Sequence, residues 1–308
     1  MSNLLSPNVP DGPSEKPSRG PVAEPYTARS VELSPGFDVW RALPQRGRRM
    51  VGAWCFLDHV RSPDRTLDVA PHPHIGLQTV TWLHRGAILH LDSLGNERRI
   101  APGELNLMTS GAAIAHAEIA VDRHAALEGL QLWVALPESA RNGAPAFEHH
   151  DDLPLAHFGT LEARVVAGEL DGHRSPATIF SELVGAELRA IEEGDATVPL
   201  DPRFEYAALL LEGEAHLEGT QLPEHTLLYL GEGRERLSLA AARESRIFLF
   251  GGVPFGEPIL MWWNFVARTP DEIARARDAW ERGRFGAVRG YEGDVIPAPP
   301  LPVRLRAT

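Results

Sequence analysis

Between Val31 and Phe250 the sequence runs in apolar stretches no longer than a single β-strand, each cut off by Gly, Pro, Asn or Asp. Residues 77–83, 88–91, 105–108, 129–135, 163–168, 204–211, 226–230 and 246–250 are such stretches. Turn chemistry separates them, as at Ser93-Leu94-Gly95-Asn96, Ala101-Pro102-Gly103 and Glu212-Gly213. Many short strands at roughly even spacing lead to a sandwich or a barrel. One helix interrupts this pattern, near the end. Thr269-Pro270-Asp271-Glu272 supplies a capping Thr, Pro at the first helical position and Glu three residues after the cap. Ile273, Arg277 and Trp280 follow at helical spacing, and Gly283 or Gly286 can end the helix.

A chain of 308 residues with 43% hydrophobic side chains is too long for one typical core and suits two. An internal echo agrees. Leu83-His84-Arg85-Gly86 ahead of Ile88 resembles Leu211-Glu212-Gly213 ahead of Ala215, and residues 107–111 resemble 228–231. The offset is about one domain. Residues 137–154, with Pro137, Gly143, Pro145 and Pro154, have little periodicity and read as a linker. The expected division is a first domain over 29–136, a second over 155–290 and a tail over 291–308. Residues 1–28 hold six prolines and few large apolar groups, so they read as a disordered arm or one extended along another surface. His149 and His150 fall in the linker and are expected to be exposed.

The net charge of -12, from 30 Lys and Arg against 42 Asp and Glu, argues against a nucleic-acid partner. Arg46-Gly47-Arg48-Arg49 reads as ordinary solvated surface. A single cysteine, Cys55, forbids an internal disulfide, and its apolar neighbours suggest a buried, inert thiol. No run is long enough for a membrane-spanning helix and no secretory leader is evident, so a cytoplasmic monomer is expected.

The chemistry concentrates in two pairs. In His72-Pro73-His74, and again in His116-Ala117-Glu118, residues i and i+2 share one face of a strand, about 7 Å apart. Pro73 cannot donate to a ladder, which places its strand at a start or an edge. Two such pairs on neighbouring strands can offer a metal three imidazoles and one carboxylate, with room left for water or substrate. By the internal offset, the corresponding positions of the second half are Pro199, Asp201, Ser238 and Ala240, so the second domain is expected to be metal-free. His216 and Glu218 are also an i, i+2 pair, but follow the glycine turn rather than precede it. His59, His84, His90 and His124 read as structural or surface histidines, with Asp58-His59 a candidate to orient a ligand.

Residues 71–81, from Pro71-His72-Pro73-His74 to Thr81, resemble the first cupin motif as written in pirins. His90-Leu91-Asp92-Ser93-Leu94-Gly95 resembles the hairpin that follows, and Pro102-Gly103 through Gly111 to His116-Ala117-Glu118 resembles the second motif. Phe56-Leu57-Asp58-His59, Gly256-Glu257-Pro258-Ile259 and the closing segment from Phe265 to Gly286 are similar in place. The likeness covers about residues 30–290. Gln78 departs from it where many members have Glu, Leu91 replaces a frequent Arg, and Trp262-Trp263-Asn264 is unusual. The resemblance implies an all-β bicupin, two jellyroll barrels packed together with a short C-terminal helix. It implies one divalent transition metal in the first barrel, foremost iron(II), with nickel, copper, manganese or zinc as alternatives. It also implies two functional classes. One is a quercetinase-type dioxygenase acting on a flavonol or similar enolic substrate with dioxygen. There the cation acidifies the substrate hydroxyl, Glu118 is the base, and Gln78 and Met108 are candidate supporting groups. The other is a metal-dependent, redox-sensing regulator that binds a protein partner without turnover.

Overall fold

The computed structural model describes residues 20–34 and 37–302. The chain is all-β with one helix, and all the apolar stretches predicted as strands lie in strands or overlap them. A seven-stranded sheet has the order Ala146–His150, Leu105–Thr109, Leu77–Arg85, Leu127–Ala135, Trp54–Ser62, Phe37–Leu43, Arg29–Ser34. Facing it, a four-stranded sheet runs Val69–His74, Ile114–Ala120, Ile88–Asp92, Glu97–Ile100. Together they form the first barrel. The second barrel repeats the plan. Its larger sheet has Glu205–Glu212, Arg246–Gly252, Leu183–Ala190 and Leu161–Leu170 at its centre. Its smaller sheet contains Gly194–Pro199, Arg236–Ala241, Ala215–Leu217 and Thr220–Gln221. The duplication survives in the turns: Gly86 and Gly213, which close equivalent hairpins, both have φ of +83°, a backbone that costs glycine little.

Period-two alternation gives each strand of the larger first sheet two different faces. Val80 and Trp82 point one way, and Thr79 and Thr81 the other. The first face, with Leu105, Leu107, Leu130, Leu132 and Val134, meets Leu209, Leu211, Phe248 and Phe250 of the second barrel in one shared apolar core. Burying each large side chain there contributes about 1.5–3 kcal/mol before conformational entropy is counted. Polar ties cross the same interface. The Trp82 indole donates to Glu187 at 2.8 Å, and the Gly52 amide to Glu205 at 2.6 Å. The barrels differ inside. The second is filled with Leu161, Val165, Leu188, Val198, Leu217, Leu230, Leu237 and Leu249. The first holds buried polar residues, among them His72, His74, His90, His116, Glu118 and Gln131, beside an apolar cluster that includes Val39, Val60, Leu83 and Ile100.

Both ends of the chain cross over. Pro21–Thr27 pairs antiparallel with Thr226–Gly231 and so becomes an edge strand of the second barrel's sheet. These residues are not disordered; they take the alternative the sequence left open and lie extended along another surface. Val22 and Tyr26 pack on the shared core, and backbone pairing offsets the ordering cost that composition alone suggested. Residues 1–19 of the arm lie outside the described residues. The expected linker also contains a strand, since Ala146–His150 pairs with Leu105–Thr109. His149 is therefore nearly buried and bonded to Asn106 Oδ1 at 2.7 Å, not exposed.

The C-terminal segment makes the reverse crossing. The hairpin Leu260–Trp262/Phe265–Ala267 and the helix Pro270–Glu281 follow the second barrel in sequence. They nevertheless cover the outer face of the first barrel's four-stranded sheet, burying Leu91, Ala115 and Ala117. The helix has the predicted capping box, Thr269 with Glu272, and Gly283 at φ +67° follows its last turn. Val266 donates its amide to the Ile75 carbonyl at 3.0 Å. That approach requires Gly76, where a Cβ would lie 2.1 Å from the Val266 carbonyl oxygen.

Candidate metal centre

The outer face of the four-stranded sheet is apolar, so its alternate residues point into the barrel. On Ile114–Ala120 these are His116 and Glu118; on Ile88–Asp92 they are His90 and Asp92. Register sets His116 against His72 on one side and Asp92 on the other, and Glu118 against His90. His72 and His74 come from Val69–His74, an edge strand, as Pro73 requires.

The imidazoles of His72, His74 and His116 converge. Their ring centres lie 4.3 Å (72–116), 5.0 Å (74–116) and 5.1 Å (72–74) apart. One ring nitrogen from each falls within 4.8 Å of the others, and all three residues are buried. Glu118 is buried on the same strand but stands outside this tight group. A register shift between His116 and Glu118 puts an extra residue on the partner strand, so Glu118 lies opposite Val69.

Protonation follows from the surroundings. Burial lowers His72 to about 4, with Glu118 opposing. Burial, reinforced by neighbouring imidazoles, takes His74 and His116 well below the usual histidine range. All three are neutral at pH 7, the form that binds metals. His72 Nδ1 lies 2.9 Å from the Ala70 carbonyl and His74 Nδ1 lies 3.2 Å from that of Asn264. Carbonyls only accept, so both Nδ1 atoms carry the proton and both Nε2 atoms hold lone pairs. The His72 Nε2 is buried with no hydrogen-bond partner among the described residues. The His74 Nε2 faces the His116 Nε2 at 3.1 Å. An unpartnered buried ring nitrogen at His72, with ring nitrogens of His74 and His116 converging on it, fits a cation.

Across from the cluster stands the inner face of the large sheet, ordered in rows. Phe56, Trp133, Thr79, Met108 and Phe147 are paired in register across five strands. Trp133 meets His74 edge-on at 5.3 Å and stacks on Phe56 at 4.1 Å. The next row is polar: Arg41, Asp58, Gln131, Thr81, Asn106 and His149. Gln131 Nε2 and Trp133 Nε1 are buried donors without an acceptor among the described residues.

Some expected supporting residues act elsewhere. Asp58 takes both ends of the Arg41 guanidinium at 2.8 Å and does not orient a metal ligand. His59, one residue on, alternates to the opposite face, with its ring 6.3 Å from His84 and 6.2 Å from His225. Gln78 also faces the second barrel and donates to Thr109 and to the Thr178 carbonyl. Met108 does lie on the inner face. Sequence reasoning missed His90, Asp92 and Asn264. His90-x-Asp92 is itself an i, i+2 pair, which was the available signal; Asn264 acts through its backbone and leaves none.

The profile described as Pirin matches residues 36–134, and that described as Pirin C-terminal cupin domain matches 185–286. The protein of Pseudomonas aeruginosa named "Putative quercetin 2,3-dioxygenase PA1205" is 47% identical over 289 residues, covering 91% of both chains. This chain belongs to the pirin family. A pirin-like protein of Caulobacter vibrioides is 36% identical, covering 89% of this chain and 98% of its own. A crystal structure of quercetin 2,3-dioxygenase from Acinetobacter baumannii superimposes with a TM-score of 0.89 at 43% identity, over 92% of this pirin and 97% of that chain. The two barrels of this pirin are accordingly cupin domains, and its three-histidine cluster lies in the first.

Proposed function

We propose that this pirin is a metal-dependent dioxygenase that cleaves the ring of a flavonol or similar enolic aromatic. His72, His74, His116 and Glu118 would hold one divalent transition metal, and Glu118 would act as base. The convergence of three neutral imidazoles in a barrel whose neighbour is packed solid carries this reading. The kinship with quercetin 2,3-dioxygenase proteins supports the substrate class. A nitrogen-rich set with one carboxylate suits iron(II), and accepts nickel, copper, manganese or zinc. The cation supplies Lewis acidity toward an enolic hydroxyl and access to dioxygen.

The chain's own groups do the rest. Phe56, Trp133, Met108 and Phe147 form an apolar row facing the cluster, which would exclude water and suit an aromatic ring. Gln131 Nε2 and Trp133 Nε1 are donors for its oxygens. Glu118 accepts the hydroxyl proton on its carboxylate; it is the carboxylate closest in sequence to the imidazoles, two residues from His116, and its charge already acts on His72.

Oxygen consumption across a panel of flavonols, at measured metal content, tests the proposal. Glu118→Gln keeps an oxygen ligand and removes the base, so turnover per bound metal should fall about 10²–10⁴-fold. Full metal loading with no oxygen uptake on any flavonol would overturn the dioxygenase reading. Equal activity per metal in both proteins would remove Glu118 as the base.

A further inference from the structure

His90 and Asp92 have no place in the ligand set, yet they occupy the barrel interior beside it. Both are buried. Asp92 sits at the tight turn into Glu97–Ile100. One of its carboxylate oxygens accepts from the amides of Leu94 and Asn96, each at 2.9 Å. The other accepts from the Asn96 side chain at 2.8 Å and faces His90 Nε2 at 3.2 Å. Phe147 stacks on the His90 ring at 4.4 Å, 14° from parallel, and fixes its plane. The remaining nitrogen, His90 Nδ1, faces His116 Nδ1 at 3.4 Å.

We propose that Asp92 and His90 are positioning residues that fix the tautomer of His116, so that its Nε2 lone pair faces the metal. A carboxylate ringed by donors can only accept, so His90 Nε2 carries the proton. With that proton on Nε2, the ring turns its Nδ1 toward His116 Nδ1. The contact is satisfied when His116 Nδ1 donates to His90 Nδ1, and that arrangement leaves His116 Nε2 bare. His72 and His74 reach the same state through the carbonyls of Ala70 and Asn264. No backbone carbonyl bonds His116 Nδ1 among the described residues, and a histidine held by an aspartate does the same work. Partners of this kind typically change metal affinity by about 10–100-fold when removed.

The inference rests on the metal-centre reading, and two measurements separate their failures. Nitrogen-15 NMR of histidine side chains in the metal-free wild type reads the tautomer directly. The proton of His116 should reside on Nδ1; a proton on Nε2 would overturn the proposal. Chelator competition with cobalt(II) gives the affinity. His90→Leu removes the acceptor and should weaken binding about 10–100-fold. His90→Gln, whose amide oxygen can accept, should recover most of it. Unchanged affinity in His90→Leu, with a native unfolding midpoint, would also overturn the proposal. So would an equal loss in both variants, since packing alone would then explain it. If His90→Leu does not fold, His90→Gln and the wild-type tautomer still decide. A wild type that binds no cobalt would instead sink the metal-centre reading and leave the tautomer assignment to stand or fall by NMR.

Discussion

At His72, His74 and His116, burial does two things at once. It strips the imidazoles of charge, and it leaves their lone pairs without water. One transition-metal ion per chain is expected, and His72→Ala or His116→Ala should each lose it on elemental analysis. Full loading of both variants would remove the ligand assignment. Burial acts differently at His59, where no ligand waits. It lowers this imidazole to about 3, and the neighbouring His84, His225 and Arg61 reinforce the shift. In the unfolded chain a histidine titrates near 6.5. Below that pH the unfolded state binds the proton that the folded state refuses, so stability drains away as pH falls toward 3. By pH 5 the loss from His59 is about 2 kcal/mol. His59→Phe should abolish that share, so its denaturant midpoint should gain on the wild type between pH 7 and pH 5. Parallel pH profiles for the two proteins would contradict this. Which histidines gather was legible because a strand has period two: His72-x-His74 and His116-x-Glu118 each declare a shared face. What flanks them was not. His90 and Asp92 matter only once register sets them opposite Glu118 and His116.

Strands were legible from their apolar runs, but their partners were not. Pro21–Thr27 has alternating burial with only Val22 and Tyr26 on the core, too faint a pattern beside its prolines. Ala146–His150 is equally weak, being half-buried along most of its length. Edge strands bury one face and one ladder, so their sequences carry half the signal of a central strand. Removing residues 1–27 would strip the pairing from Thr226–Gly231, expose Leu227 and Tyr229, and release the Ala28 anchor at His225. The truncated protein should melt several degrees lower, since each kcal/mol is worth about 2–4 °C in chains of 150–250 residues. An unchanged melting temperature would show that the strand contributes nothing. The helix, by contrast, was readable to its cap, because a capping box is a local device.

At the scale of the molecule, the sequence suggested two successive domains, and the chain in addition ties each barrel with the other's end. The N-terminal strand completes the second barrel's sheet. The hairpin, the helix and the tail cover the first, down to the Ile296 amide on the Pro71 carbonyl. Nothing in composition betrays such an exchange, because each segment is apolar enough to cover either barrel. Halves divided within residues 150–155 should therefore not fold separately. Circular dichroism of each half should show no cooperative transition, and mixing the two should restore one. A cooperative transition in either half alone would refute this.

The crossing also sets an order of events during synthesis. The Asn264 carbonyl that holds His74 Nδ1 lies 190 residues further along the chain. At about 5–20 residues per second, it leaves the ribosome roughly 10–40 s after the imidazole it will orient. Until then His74 can offer a passing cation either ring nitrogen. A cation that arrives after release of the finished polypeptide finds only Nε2.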